Sequence, residues 1–291
     1  MIRFAQIHDD TGAFCQMVRQ RLFDHQPERF RFDTGGDLRK ISSVLLLMGQ
    51  DRTSGELFFM LNKRSRYVPQ PGDLCCPGGG ISPILDCGLT HFLLFPFTPL
   101  TCWPQMNWWR RNRRTDFPKL SLLLAAALRE GFEEMRLNPF GLTFLGPMPP
   151  KELVLFKRAV YPMVCWINRQ HRFLLNWEVE RLVRIPVRNF FDDTRYARYH
   201  ISYKTSVSEK KPMPGQDMPC FVHQEKDRQE LLWGVTYRIV VHFLKIVFNY
   251  TPPPLGTLPV IHHRIGDFYL HGAGRQNRNS KEQDKPSYQG T

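Results

Sequence analysis

The sequence predicts an α/β fold, helices packed on a sheet, and three observations carry that prediction. First, "ISSVLLLMG" (41–49) and "GELFFMLNKRS" (55–65) are apolar, strand-like runs on either side of the turn "QDRTSG". Second, "LSLLLAAALREGFEEM", from Leu120 to Met135, consists of strong helix formers with one tolerated glycine. Third, "DRQELLWGVTYRIVVHFLKIVF" (227–248) predicts a helix, with Trp233, Ile239, Val240, Phe243 and Val247 along its apolar face.

The other elements follow along the chain. Residues 1–40 form a helical lead-in, because Phe14, Met17, Val18, Leu22 and Phe23 recur at helical spacing. A glycine- and proline-rich loop, "PQPGDLCCPGGG" (69–80), follows the two strands. Residues 81–119 break the pattern. They start apolar and proline-broken, then become "WPQMNWWRRNRRTDFPK", where Arg110, Arg111, Arg113, Arg114 and Lys119 face a single acid, Asp116. Such a segment is either an arm for a membrane surface or nucleic acid, or an insertion whose aromatics pack onto the domain. We adopt the second. Asn138-Pro139 stops the helix that begins at Leu120. "LTFLGPMP", "RAVYPMVCWI" and "ERLVRIPV" are strand-like, and from about Gly272 the chain turns polar and core-poor, as a disordered tail does. The expected organisation is a lead-in (1–40), one domain (41–250) with an insertion at about 81–119, and a C-terminal extension (251–291).

Bulk composition narrows the partners. The 291 residues are 42% hydrophobic, which excludes a disordered chain, and they carry a net charge of +13 at a pI near 9.6. That balance favours an anionic partner: a phosphate-bearing metabolite, nucleic acid or a membrane surface. The seven cysteines are odd in number and lack a C-x-x-C pair, so reduced thiols in a cytoplasmic protein are expected, with Cys75-Cys76 as buried small hydrophobes. The start, "MIRFAQIHDDTGAF", has acids where a signal peptide needs an apolar run, and no apolar segment reaches membrane-spanning length. His262-His263, with His271 downstream, are taken as exposed loop residues.

One stretch asks for an explanation. "LREGFEEMRLNP", Leu128 to Pro139, sets Glu130, Glu133 and Glu134 at i, i+3 and i+4, on one helix face. Either this is a solvated face relieved by Arg129 reaching Glu133, or the carboxylates seat a cation. The apolar run before them makes the helix a core element, and the glycine loop offers backbone oxygen. A hard cation such as Mg²⁺ takes oxygen ligands, and glycines allow metal and phosphate to come close. We adopt the cation.

These residues resemble the Nudix hydrolases, whose box runs G-G, an acid, then R-E-U-x-E-E-x-G-U, with U aliphatic. Gly78-Gly79 and Arg129-Glu130-Gly131-Phe132-Glu133-Glu134-Met135-Arg136-Leu137 are similar to it. "LNKRSRYVPQPGDLCCPGG", through Leu61, Arg64, Ser65, Gly72, Pro77, Gly78 and Gly79, looks like the motif of the coenzyme A diphosphatase branch. "NWEVERLVRIPVRNFFD" and "ELLWGVTYRIV" are similar to later segments of that branch, so the likeness spans roughly residues 35 to 250. It departs in four ways: Ser82 stands where the acid is expected, with Asp86 the nearest substitute. Arg136 replaces a glycine, leaving Asn138 as the expected cap. Cys76 replaces a phenylalanine, and the 81–119 segment lengthens the spacer.

The resemblance implies a Nudix-type α/β/α sandwich with a mixed sheet, and Mg²⁺- or Mn²⁺-dependent cleavage of coenzyme A or a derivative. It implies Glu133, Glu134 and also Glu130 as metal ligands, completed by the Gly79 carbonyl. The catalytic set would be Glu130, as base, with Glu134 and Arg129, the latter orienting a carboxylate. Glu178 or Glu180 would contribute from a distance. Arg64, Ser65 and Gly78 would meet the substrate. A binding protein that has lost turnover, and a hydrolase of another nucleoside diphosphate derivative or of capped RNA gripped by "WWRRNRR", are the alternatives.

Overall fold

The computed structural model of the chain describes residues 10–26, 38–153, 158–203, 216–265 and 269. The expected tail and His271 lie outside these residues. The centre of the molecule is β1 (Ile41–Gln50), which pairs antiparallel with β2 (Leu57–Arg64) and parallel with β7 (Arg158–Ile167). β3 (Leu74–Cys75) and β5 (Leu142–Pro147) extend the sheet to the order β3-β2-β1-β7-β5. β4 (Gly78–Gly80) adds to β1, β6 (Lys151–Leu153) to β7, and β8 (Val179–Pro186) to β2. The sheet is therefore mixed, as expected.

The apolar runs at 41–49 and 57–61 have no polar alternation because this sheet is buried on both faces. Leu46 and Met48 of β1 point to one side, with Phe59 of β2 and Val164 of β7. There they pack against α1 (Thr11–Asp24), through Phe14, Val18 and Leu22, and α5 (Gly234–Phe248), through Ile239, Val240 and Phe243. Leu45 and Leu47 point to the other side, with Met60 and Cys165, onto the leucines and alanines of α4 (Phe117–Met135). Helices on both faces give the α/β/α layering. A second sheet has the order β11-β10-β9-β12, from β9 (Tyr196–Tyr203), β10 (Gln216–Glu225), β11 (Arg228–Leu232) and β12 (Val260–Ile265).

Two expectations need correction here. Residues 228–232 are not the first turn of the last helix; they form β11, and α5 begins only after Trp233. Alternation decided the outcome: Glu230 and Leu232 are buried, and the Glu230 carboxylate is held by Lys63 at 3.0 Å and Arg181 at 2.6 Å. His262 and His263 lie on strand β12 instead of a loop, exposed at the sheet's end strand.

Segment 81–119 folds as α2 (Pro83–Phe92), a series of turns, and α3 (Met106–Asn112). Trp103 and Trp109 are buried in the core under α4, the Trp103 ring 5.0 Å from Phe144. No helix among the described residues is long and apolar enough to cross a membrane.

Candidate functional site

The site forms where the C-terminal half of α4 crosses the glycine hairpin. β4 lies against β1, with Gly79 opposite Ser43 and Gly78 opposite Val44. Gly78 has φ +144, and a Cβ there would sit 2.4 Å from the Ser43 carbonyl oxygen, so only glycine fits. At Gly79 a Cβ would fall 2.6 Å from the Glu130 carboxyl, so the missing side chain is the space that this carboxylate occupies.

Glu134 is the deepest of the three helix glutamates. Its Oε2 accepts from the Asn62 amide at 2.8 Å and the Gly78 N–H at 3.3 Å, both neutral donors. Burial, then the charges of Glu130 and Glu178, push its carboxyl up to about 8. Burial likewise raises Glu130, against the pull of Arg129. Glu133 differs: half of its side chain is exposed, and it reaches only the Arg129 guanidinium at 3.2 Å.

Arg129 ties the site together. Its Nη1 donates to Glu130 at 3.0 Å, its Nη2 to the Gly80 carbonyl at 2.9 Å, and its Nε to Asp86 at 2.7 Å. Asp86, fully buried on α2, also accepts the Ser82 N–H at 2.6 Å. An acid six residues beyond Gly80 thus forms an ion pair with the arginine.

The other expected residues are placed as follows. Arg64, at the end of β2, donates from Nε to the Pro69 carbonyl at 2.8 Å and lies close enough to Glu134 to lower its carboxyl. Ser65 is buried; its N–H bonds the Glu178 carbonyl at 2.8 Å and its Oγ accepts the Tyr67 N–H. Glu178 therefore joins the acidic group, whereas Glu180 is on the surface, 3.9 Å from Lys63. Burial pushes the Cys75 thiol up to about 12 and Cys76 higher still, so neither is a thiolate.

Two features escaped the sequence. Asn62 is a buried polar residue where β2 passes from its apolar run to Lys63 and Arg64, and nothing local marked it as buried. Arg136, not Asn138, closes α4: it is left-handed (φ 51), with the Leu137 N–H bonding the Gly131 carbonyl, while Asn138 caps the next turn through Phe140. The Arg136 guanidinium lies over the Phe132 ring at 4.7 Å.

The groups of this site able to ligate a cation are oxygens, the carboxylates of Glu130, Glu133 and Glu134 beside the backbone of the glycine hairpin. That donor set fits a hard divalent cation. Among the described residues no three His, Cys, Asp or Glu side chains are gathered to hold one, and Arg129 engages Glu130 and Glu133.

No family model matches the chain, and no curated protein does. Among solved structures it is similar to a MutT/nudix family protein from Enterococcus faecalis, over 86% of this chain and 76% of that one, at 8% identity and a TM-score of 0.37. A Nudix hydrolase from M. smegmatis aligns with 53% of this chain and 74% of its own, at 15% identity and a TM-score of 0.34. The NUDIX domain of Shewanella oneidensis NrtR, complexed with ADP ribose, aligns over 59% and 84%, at 14% identity and a TM-score of 0.32.

Proposed function

We propose that this chain is a metal-dependent hydrolase of the Nudix type, cleaving a diphosphate linkage in a nucleotide derivative. One observation carries this: an acidic helical turn, Glu130 and Glu134, is seated directly on a glycine hairpin, with Glu130 in the space a side chain at Gly79 would fill and Gly80 left open. Glu130, Glu133, Glu134 and the Gly79 carbonyl would hold Mg²⁺ or Mn²⁺, which supplies Lewis-acid polarisation of a phosphoryl oxygen. Glu130 accepts the proton of the attacking water, and Arg129 fixes its carboxylate. Arg64 meets the phosphates from the end of β2, and Gly78 and Ser65 shape the approach. The motif between Leu61 and Gly79 favours coenzyme A or a derivative, giving a phosphopantetheine product and adenosine 3′,5′-bisphosphate. A strongly basic chain suits so phosphate-rich a substrate.

The test is a hydrolysis screen with Mg²⁺ or Mn²⁺ over coenzyme A, nicotinamide dinucleotide, sugar nucleotides and capped RNA. Glu134→Gln is expected to lower turnover on the order of 100-fold or more, and Glu133→Gln to lower it as well. Wild-type turnover in both variants refutes the site.

A second reading, a binding protein without turnover, is favoured by the Arg129 grip on Glu130 and Glu133. Titration calorimetry separates the two: tight coenzyme A binding without metal-dependent product supports the binder. Capped RNA needs the arginines of α3 on its backbone; charge reversal at Arg110 and Arg111 would then flatten the salt dependence of binding.

A further inference from the structure

Asn62 occupies a position where a side chain has little choice of direction. Side chains alternate along β2, so Asn62 faces the same side as Met60, the side covered by α4, while Leu61 faces α1 and α5. Its backbone is paired on both flanks, with Cys75 of β3 and with Leu182 of β8. The residue is 1% exposed. Among the described residues its side chain makes one hydrogen bond, from Nδ2 to Glu134 Oε2 at 2.8 Å. The other half of the amide is idle: Oδ1 is buried without a partner, which costs the fold free energy. What this polar group gives in return goes to Glu134.

The chemistry of the donor matters. Arg129 grips Glu130 and Glu133 with a guanidinium, which a cation has to displace or share. No lysine or arginine among the described residues bonds Glu134; its donors are the Asn62 amide and the Gly78 N–H, at 3.3 Å. Both bonds fall on Oε2, so Oε1 is left for a ligand. A neutral amide orients a carboxyl group and, unlike an ammonium or a guanidinium, does not compete with a cation for it.

We propose that Asn62 is a positioning residue of the acidic site. It holds the Glu134 carboxyl against the glycine hairpin in the orientation that a divalent cation meets, and brings no charge of its own. This role rests on the reading of Glu134 as a metal ligand. A carboxyl free to turn has to be ordered when the ion binds, and the buried amide has ordered it beforehand.

The test is calorimetric titration of the full chain with Mn²⁺, without substrate. Asn62→Leu, close in size, and Asn62→Ala are each expected to weaken Mn²⁺ binding about 10- to 100-fold. Melting curves check that both fold, and either one alone is sufficient. Met60→Val is the control, since it trims the neighbouring side chain on the same face of β2. It is expected to lower the melting temperature and leave Mn²⁺ affinity unchanged. Wild-type affinity in a folded Asn62 variant overturns the proposal, and so does an equal loss of affinity in Met60→Val. A wild-type chain that takes up no Mn²⁺ overturns the metal reading and this role together. Mn²⁺ binding that depends on Asn62, in a chain that hydrolyses nothing, supports the role and refutes turnover alone.

Discussion

α2 and α4 are both rich in apolar residues and both carry carboxylates, yet they are oriented in opposite ways. α4 buries its leucines and alanines in the core and turns Glu130 and Glu134 to the glycine hairpin. α2 buries only its carboxylate and turns Ile84, Leu85 and Phe92 outward. Hydrophobicity alone does not choose the inward face of a helix; the partner available at the crossing does. For α4 that partner is the two-sided sheet, and for α2 it is the guanidinium of Arg129.

The largest effect expected is on that ion pair. Arg129→Met leaves Asp86 buried and unpaired, and denaturant unfolding should show a loss of about 3–5 kcal/mol. Adding Asp86→Leu should recover most of it; a double variant as unstable as the single one would mean that the pair does not hold α2. Within the 81–119 segment, Trp109→Ala should cost about 3–5 kcal/mol because its ring is fully buried. Phe95→Ser, by contrast, should stay within about 0.5 kcal/mol, since that ring is mostly exposed. Equal effects at the two positions would erase the distinction between the inner and outer sides of that segment.

Asp73 sharpens the contrast from the other side, since it is a half-buried carboxylate given neutral donors, Trp233 at 3.1 Å and Tyr269 at 2.5 Å. Burial raises it from its ordinary 3.8 to about 6, against the pull of those hydrogen bonds. A carboxyl raised in the folded state keeps a proton that the unfolded chain has lost. Its stabilising share is therefore complete below pH 4 and disappears as pH rises through 6. Relative to Asp73→Asn, wild type should lose on the order of 2 kcal/mol across that window, read from melts at several pH values. A flat difference would show that Asp73 is solvated. The smallest effect belongs to the end of α4. Arg136→Gly should relieve left-handed strain and stabilise by about 0.5–1 kcal/mol, less what the Phe132 contact contributes. A lower denaturation midpoint would reverse that sign.

The strands at 41–50 and 57–64 and α4 were legible because each rests on local pattern, apolar runs and helix formers, whereas the meeting of Glu134 with Gly78, 56 positions apart, was expected only through the family resemblance. What escaped depends on distant partners. Asp86 meets Arg129 across 43 positions, Asn62 meets Glu134 across 72, and Glu230 reaches Arg181 across 49. Periodicity carries no information about such pairs. β11 was missed for the same reason, since its alternation makes sense only once Lys63 and Arg181 stand opposite Glu230.

The parallel pairing of β1 with β7 sets Ser43 beside Tyr161, 118 positions apart, and the hairpin and α4 both lie within that span of chain. Closing so long a loop is slow compared with forming a helix, so α4 has time to form before the sheet beneath it is complete. A chain cut before β7 would keep the acidic motif and lose a strand of the sheet on which α4 packs.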